Sequence, residues 1–118
     1  MFKTTTAFIT CLFIALLSLP SAFASERAEI GWQKFDRGAL LIDVRTKEEF
    51  EQGHLDNAQL KPVQDIESWS QSLNKDEPIV LYCRSGNRSG IAYQWLKEKG
   101  FTNIHNAGGY SEMLQAAH

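Results

Sequence analysis

The chain has 118 residues, with 12 Lys and Arg against 14 Asp and Glu and a formal net charge of −2. That length suits one compact domain and not two. The mixed charges, with no run of basic residues, argue against nucleic acid as a partner and describe an ordinary solvated surface.

Residues 1–24 read as an export signal. Met1, Phe2 and Lys3 make a short, weakly basic start, and Ala7 to Leu19 is an apolar run broken only by Thr10, Cys11 and Ser18. Pro20 ends the run, and Ala22-Phe23-Ala24 supplies the small-x-small pattern read by signal peptidase. The run is shorter than the roughly 20 residues that span a bilayer, which favours a cleaved signal over an anchor. Thr10 is also a poor neighbour for a lipidated Cys11. The expected mature chain is a single domain over 25–118, located in the periplasm, with no membrane contact after cleavage. Cys11 leaves with the signal, so Cys83 is its lone thiol. Exported proteins usually use cysteines in pairs. A single one is reactive, paired between chains, or buried and inert, and its neighbours must decide.

Strand and helix patterns then alternate. Glu26 to Arg37 is predicted helical, with Ala28, Trp32 and Phe35 on one face and Gly38 as the stop. Ala39 to Ile42, ending at Asp43, is an apolar run expected as a strand buried on both faces. Thr46 to Gln52 is predicted helical, with Thr46 as N-cap and Glu48 and Glu49 in the first turn, where the dipole favours them. Ala58 to Leu60 is predicted as a short strand, Asp65 to Leu73 as a helix, and Pro78 to Tyr82 as a second apolar strand. Arg88 to Lys99 is predicted helical, with Ile91, Ala92, Trp95 and Leu96 inward and Gly100 as its stop. Asn103 to His105 is predicted as a last strand and Tyr110 to Ala117 as a last helix. Strands separated by helices imply an α/β fold with parallel pairing. Ligands of such sheets bind at the carboxyl ends of the strands, which directs attention to the residues after Asp43 and Tyr82.

The segment after Tyr82 is Cys83-Arg84-Ser85-Gly86-Asn87-Arg88-Ser89. Gly86 permits a turn closed to other residues, and Asn87 tolerates the left-handed region. A loop curled this way aims successive N–H groups at one point, and the following helix adds its partial positive charge. Arg84 and Arg88 add two full charges. A thiol in that field is expected to ionise below the free value of about 8.5. The same cysteine without its arginines and glycine would read as a small buried hydrophobe.

That loop resembles the active-site loop of rhodanese-type sulfurtransferases, C-R-x-G-x-R. Three further segments match in the family's order. Leu41-Ile42-Asp43-Val44-Arg45 resembles its early L-I-D-V-R strand. Glu49-Phe50, Gly53-His54-Leu55 and Ala58 resemble E-F/Y-x-x-G-H-I-x-G-A, and Asn106-Ala107-Gly108-Gly109 resembles the late G-G turn. The short length and export signal resemble the exported, phage-shock-type members. Asn57 stands where the family usually has Gly, Lys61 replaces an apolar residue, and Met113 stands where many members have Trp. The segment before Asp43 is short, so the first strand of the usual five is expected to be missing or rudimentary.

The resemblance implies a three-layer fold, a mostly parallel sheet of four to five strands flanked by helices. It implies a thiosulfate:cyanide-type sulfurtransferase working through a Cys83 persulfide, with a small anionic donor such as thiosulfate and cyanide or a thiol as acceptor. Arg84, Ser85, Gly86, Asn87, Arg88 and Ser89 would hold donor and persulfide, with Arg84 and Arg88 undivided in role. Asp43 and Arg45 would form a structural ion pair near the loop, and His54 is read as structural because an ionised thiol needs no base. No cofactor or metal is expected; His105 and His118 lack a ligand spacing with Cys83. The protein is expected to act as a monomer.

Two alternatives stay open. One is a persulfide carrier that docks on a partner without turnover. The other is a cysteine phosphatase, but these place Arg after five intervening residues, and here Arg88 follows four, with Ser89 in the phosphatase position. Asn87-Arg88-Ser89 is also an N-glycosylation acceptor pattern. A glycan would cover the loop, which favours a bacterial periplasm over a eukaryotic secretory route.

Overall fold

The computed structural model describes residues 24–116. The export-signal segment, the predicted end of the last helix at Ala117, and His118 lie outside the described residues. In chain order the elements are α1 (Glu26–Asp36), β1 (Leu40–Asp43), α2 (Lys47–Gln52), β2 (Gln59–Leu60), α3 (Ile66–Trp69), β3 (Ile79–Cys83), α4 (Asn87–Glu98), β4 (Ile104–Gly109) and α5 (Tyr110–Gln115). The sheet order is β2-β1-β3-β4, with every pair parallel.

Local sequence explains the helix starts. Ser25 caps α1 through its side chain, which accepts from the Ala28 N–H. Thr46 and Glu49 form a reciprocal capping box at α2. Alternation along the strands divides the core between two faces. Leu41, Val80 and Tyr82 pack with Ala28, Leu55, Ala107 and Met113 on the side of α1 and α5. Ile42, Leu81 and Cys83 pack with Ile66, Ala92, Leu96 and Phe101 on the side of α3 and α4. The result is a three-layer α/β fold in which β3, buried throughout, delivers Cys83 to the carboxyl edge of the sheet.

Several expectations change. The helix expected over Asp65–Leu73 is one α-helical turn between 3-10 turns at Val63–Asp65 and Ser70–Ser72. Its only buried apolar side chain there is Ile66, too small a stripe to sustain a longer helix. Ile91, expected inward, is 61% exposed, because α4 turns Ala92 and Leu96 to the sheet. The last strand runs from Ile104 through Gly109, well past His105. Among the described residues the sheet has four strands, the lower bound of the expected range. Asn57 adopts a left-handed φ of +70°, which accounts for an Asn where a Gly is usual.

Candidate active site

The loop between β3 and α4 wraps the Cys83 sulfur. Gly86, at φ +99°, turns the chain so that its N–H donates to Cys83 Sγ at 3.0 Å. The Ser89 hydroxyl lies 3.4 Å from the same sulfur and 2.7 Å from Asn106 Oδ1. It has one proton, which serves one of these acceptors at a time. Cys83 is 0% exposed, and burial pushes its thiol pKa up. The Ser89 hydroxyl and the N–H groups of Ser89, Ser85 and Gly86 act in the opposite direction and prevail, so the thiol titrates below its ordinary value.

The sheet itself helps to close the loop. A β-bulge between β3 and β4 inserts Ala107 and brings Gly109 opposite Cys83. The Arg84 carbonyl packs on Gly109 where any side chain would begin. Asn106 ties the loop to β4: its Nδ2 donates to the Gly86 carbonyl at 3.2 Å, and its Oδ1 accepts from the Gly108 N–H at 3.0 Å.

The arginines around the loop are not equivalent. Arg88 makes two hydrogen bonds to Glu49, at 2.6 and 2.9 Å. This pairing, with the Thr46 cap, outweighs burial and holds the Glu49 carboxyl at about 2. Arg45 is bound to Asp43 through Nε and Nη2, the shortest contact being 2.7 Å, and both side chains are buried. Its Nη2 also donates to the Gly53 carbonyl at 2.7 Å, and its guanidinium lies over the rings of Tyr82 and Tyr110. Arg84 is exposed and has no ion-pair partner among the described residues. It borders a cavity of about 330 Å³ with Arg45, Glu49, Tyr110 and Ser111. A second cavity of about 310 Å³, beside Trp32, Leu55 and Met113, is lined by neither arginine nor thiol and is not the site.

Of the loop residues named from the sequence, Ser85, Gly86 and Ser89 supply hydrogen bonds to the sulfur, Arg84 borders the cavity, and Arg88 turns to Glu49. Asn87 is exposed and begins α4, and its N–H points back to Ser85 Oγ at 3.4 Å. His54 stacks on Phe50 at 3.6 Å, with Nδ1 2.8 Å from the Phe50 carbonyl oxygen, and so belongs to the end of α2. His105 Nε2 is 2.7 Å from the Arg27 carbonyl oxygen. Sequence reasoning missed the hydrogen-bonding work of Asn106 and all of Arg27. Asn106 lay inside a matched segment whose glycines drew attention. Arg27 lies 58 positions from Ser85, whose carbonyl it contacts, and carries no motif or periodicity.

A cysteine ending a buried strand, with N–H groups converging on its sulfur at a helix N-terminus, marks a parallel α/β protein with a hydrogen-bonded thiol at the carboxyl edge of its sheet. The rhodanese-like domain family matches residues 27–116, and the chain belongs to that family. The fold is accordingly a rhodanese-like sulfurtransferase fold. Among relatives, the uncharacterized protein YqhL of Bacillus subtilis is 41% identical over 73 residues, 62% of this chain and 58% of that one. The tRNA uridine(34) hydroxylase of Escherichia coli is 33% identical over 99 residues, 78% of this chain but 28% of the hydroxylase. The chain thus spans less than two thirds of either relative. Among solved structures, the human single-domain sulfurtransferase TSTD1 superposes with a TM-score of 0.67 at 28% identity, covering 76% of this chain and 93% of that one. A rhodanese with anions from E. coli gives a TM-score of 0.59 at 31% identity, over 64% and 91%.

Proposed function

We propose that the protein is a thiosulfate sulfurtransferase with Cys83 as its catalytic residue. The observation that carries this reading is the convergence of loop N–H groups on the Cys83 sulfur, next to Arg84, a cation with no ion-pair partner among the described residues. The thiolate attacks the outer sulfur of thiosulfate. A new S–S bond forms at Cys83, the old one breaks, and sulfite leaves with its electron pair. Cyanide or a thiolate then attacks the outer sulfur of the persulfide and releases the Cys83 thiolate. This is nucleophilic catalysis in two half-reactions, and the chemistry needs no cofactor. Arg84 attracts the anionic donor, while the loop N–H groups and the Ser89 hydroxyl hold the persulfide charge. The four-residue gap from Cys83 to Arg88 favours a single sulfur over a phosphate.

Intact mass after thiosulfate treatment tests this. One added sulfur atom is expected on the wild type and none on Cys83→Ser; no addition to the wild type would refute the persulfide. Full burial of Cys83 favours a second reading, a carrier that keeps its persulfide. Sustained thiosulfate:cyanide turnover argues for the enzyme, and a stable persulfide without turnover for the carrier. We also propose that the chain is an exported, phage-shock-type member, acting as a monomer in the periplasm. The pattern of residues 1–24 supports export. Amino-terminal sequencing of periplasmic protein is expected to begin at Ser25, and retention of Met1 in a cytoplasmic fraction would reject it.

A further inference from the structure

The loop N–H groups aim at the sulfur only if each peptide plane is held in orientation. In a trans peptide the C=O and the following N–H point in opposite directions. The Ser85 carbonyl and the Gly86 N–H belong to one peptide. The Gly86 N–H meets Cys83 Sγ at 3.0 Å, and the Ser85 carbonyl accepts from Arg27 Nη2 at 3.2 Å. Arg27 comes from α1, on the far side of the loop from α4. It is fixed by Glu112 of α5, which accepts from Arg27 Nε at 2.9 Å and from Nη2 at 2.6 Å. Glu112 is fixed in turn by the Gly109 N–H, which donates to Oε1 at 3.0 Å.

The glycines show that this space is built for a guanidinium. A Cβ at Gly86 would lie 2.6 Å from Arg27 Nη2, and one at Gly108 would lie 2.6 Å from Glu112 Oε1. The clamp thus fills the room that two left-handed glycines, φ +99° and +97°, leave open.

We propose that Arg27 and Glu112 are positioning residues for Cys83: together they hold the Ser85–Gly86 peptide with its N–H on the sulfur. This positioning acts on the thiol itself, whichever donor or acceptor it serves. Other charges lie near the sulfur or its loop: Arg88 from α4 paired with Glu49 from α2, Arg84 from the loop, and Arg45, just past β1 and bound to Asp43, on the same cavity as Arg84. Positioning must therefore be separated from simple charge. The sign of the effect does this. Through charge alone, removing the Glu112 carboxylate would favour the thiolate. Through positioning, it frees Arg27, releases the peptide and disfavours the thiolate.

The experiment is the pH profile of Cys83 alkylation by iodoacetamide, with a melting curve for each variant, in Glu112→Ala and Arg27→Lys. Arg27→Lys keeps the charge but loses the Nε bond to Glu112, and its ammonium ends one bond short of the Nη2 that reaches the Ser85 carbonyl. Both variants are expected to move the midpoint to higher pH and slow alkylation at pH 7 by roughly two- to tenfold, the worth of one hydrogen bond. A midpoint that falls in Glu112→Ala, or one that stays in place in either folded variant, overturns the proposal. If one variant does not fold, the other decides alone.

Discussion

At the scale of single residues, the site is a contest between burial and hydrogen bonding at one sulfur atom. Burial alone would make Cys83 an inert thiol. Donors from Ser85, Gly86 and Ser89 reverse that outcome. The arginines do separate work, because a cation already bound to a carboxylate has little to offer a second anion. Arg88 is committed to Glu49, whereas Arg84 is exposed and unpaired among the described residues. Arg84→Ala is therefore expected to raise the KM for thiosulfate about tenfold, the loss of one charge-assisted contact. Its melting temperature and kcat should stay close to wild type, as for most exposed substitutions. Arg88→Ala should behave oppositely, lowering the melting temperature with less effect on KM. Steady-state kinetics and melting curves on the two variants check this; equal KM effects would show that the arginines share the donor.

At the scale of elements, the site depends on how β3, its loop and β4 meet. Gly109 lies against the Arg84 carbonyl, and an added Cβ would also sit 3.2 Å from the Ser85 Cα. Backbone cannot yield as a flexible side chain does. Gly109→Ala is expected to cost about 1–3 kcal/mol, as overpacking does, and to lower sulfur transfer by displacing the loop. Denaturant melts and activity assays check both, and an unchanged loop activity would show that the loop slides freely over β4. The same elements show what a sequence discloses. Apolar runs at Leu41 and Val80, and the Thr46 cap, have local signatures, so β1, β3 and α2 were legible. The C-R-x-G-x-R spacing was legible because the loop closes within a few residues. The one-turn α3 was not, since its length is set by the single anchor Ile66. The inward face of α4 was also misread at Ile91: two apolar residues in a row do not say which one meets the sheet. Arg27 and Asn106 act across long sequence separations, and nothing local distinguishes a clamp from a surface polar residue.

At the scale of the whole molecule, two ion pairs tie together the helices beside the loop. Arg27–Glu112 joins α1 to α5, and Arg88–Glu49 joins α4 to α2. Hydrogen bonds from the arginines, opposed by burial and aided by backbone N–H donors, hold the carboxyls of Glu112 and Glu49 at about 2 each. In the unfolded chain both return to the ordinary 4.5. Between those values the unfolded chain binds more protons than the folded one, so stability rises with pH. Both contributions are fully present above pH 4.5 and are lost as pH falls towards about 2. Partial exposure of the pairs tempers them, since solvent screens such interactions. The expected outcome is a melting temperature that declines steeply below pH 4.5. In Glu49→Gln the neutral-pH value should drop by a few degrees, the shift that about 1 kcal/mol produces in a domain of this size. The decline below pH 4.5 should also become shallower, because one of the two titrations is gone. Thermal melts of both proteins across pH 2–7 check it, and parallel curves would mean that the Glu49 pair contributes nothing to acid stability.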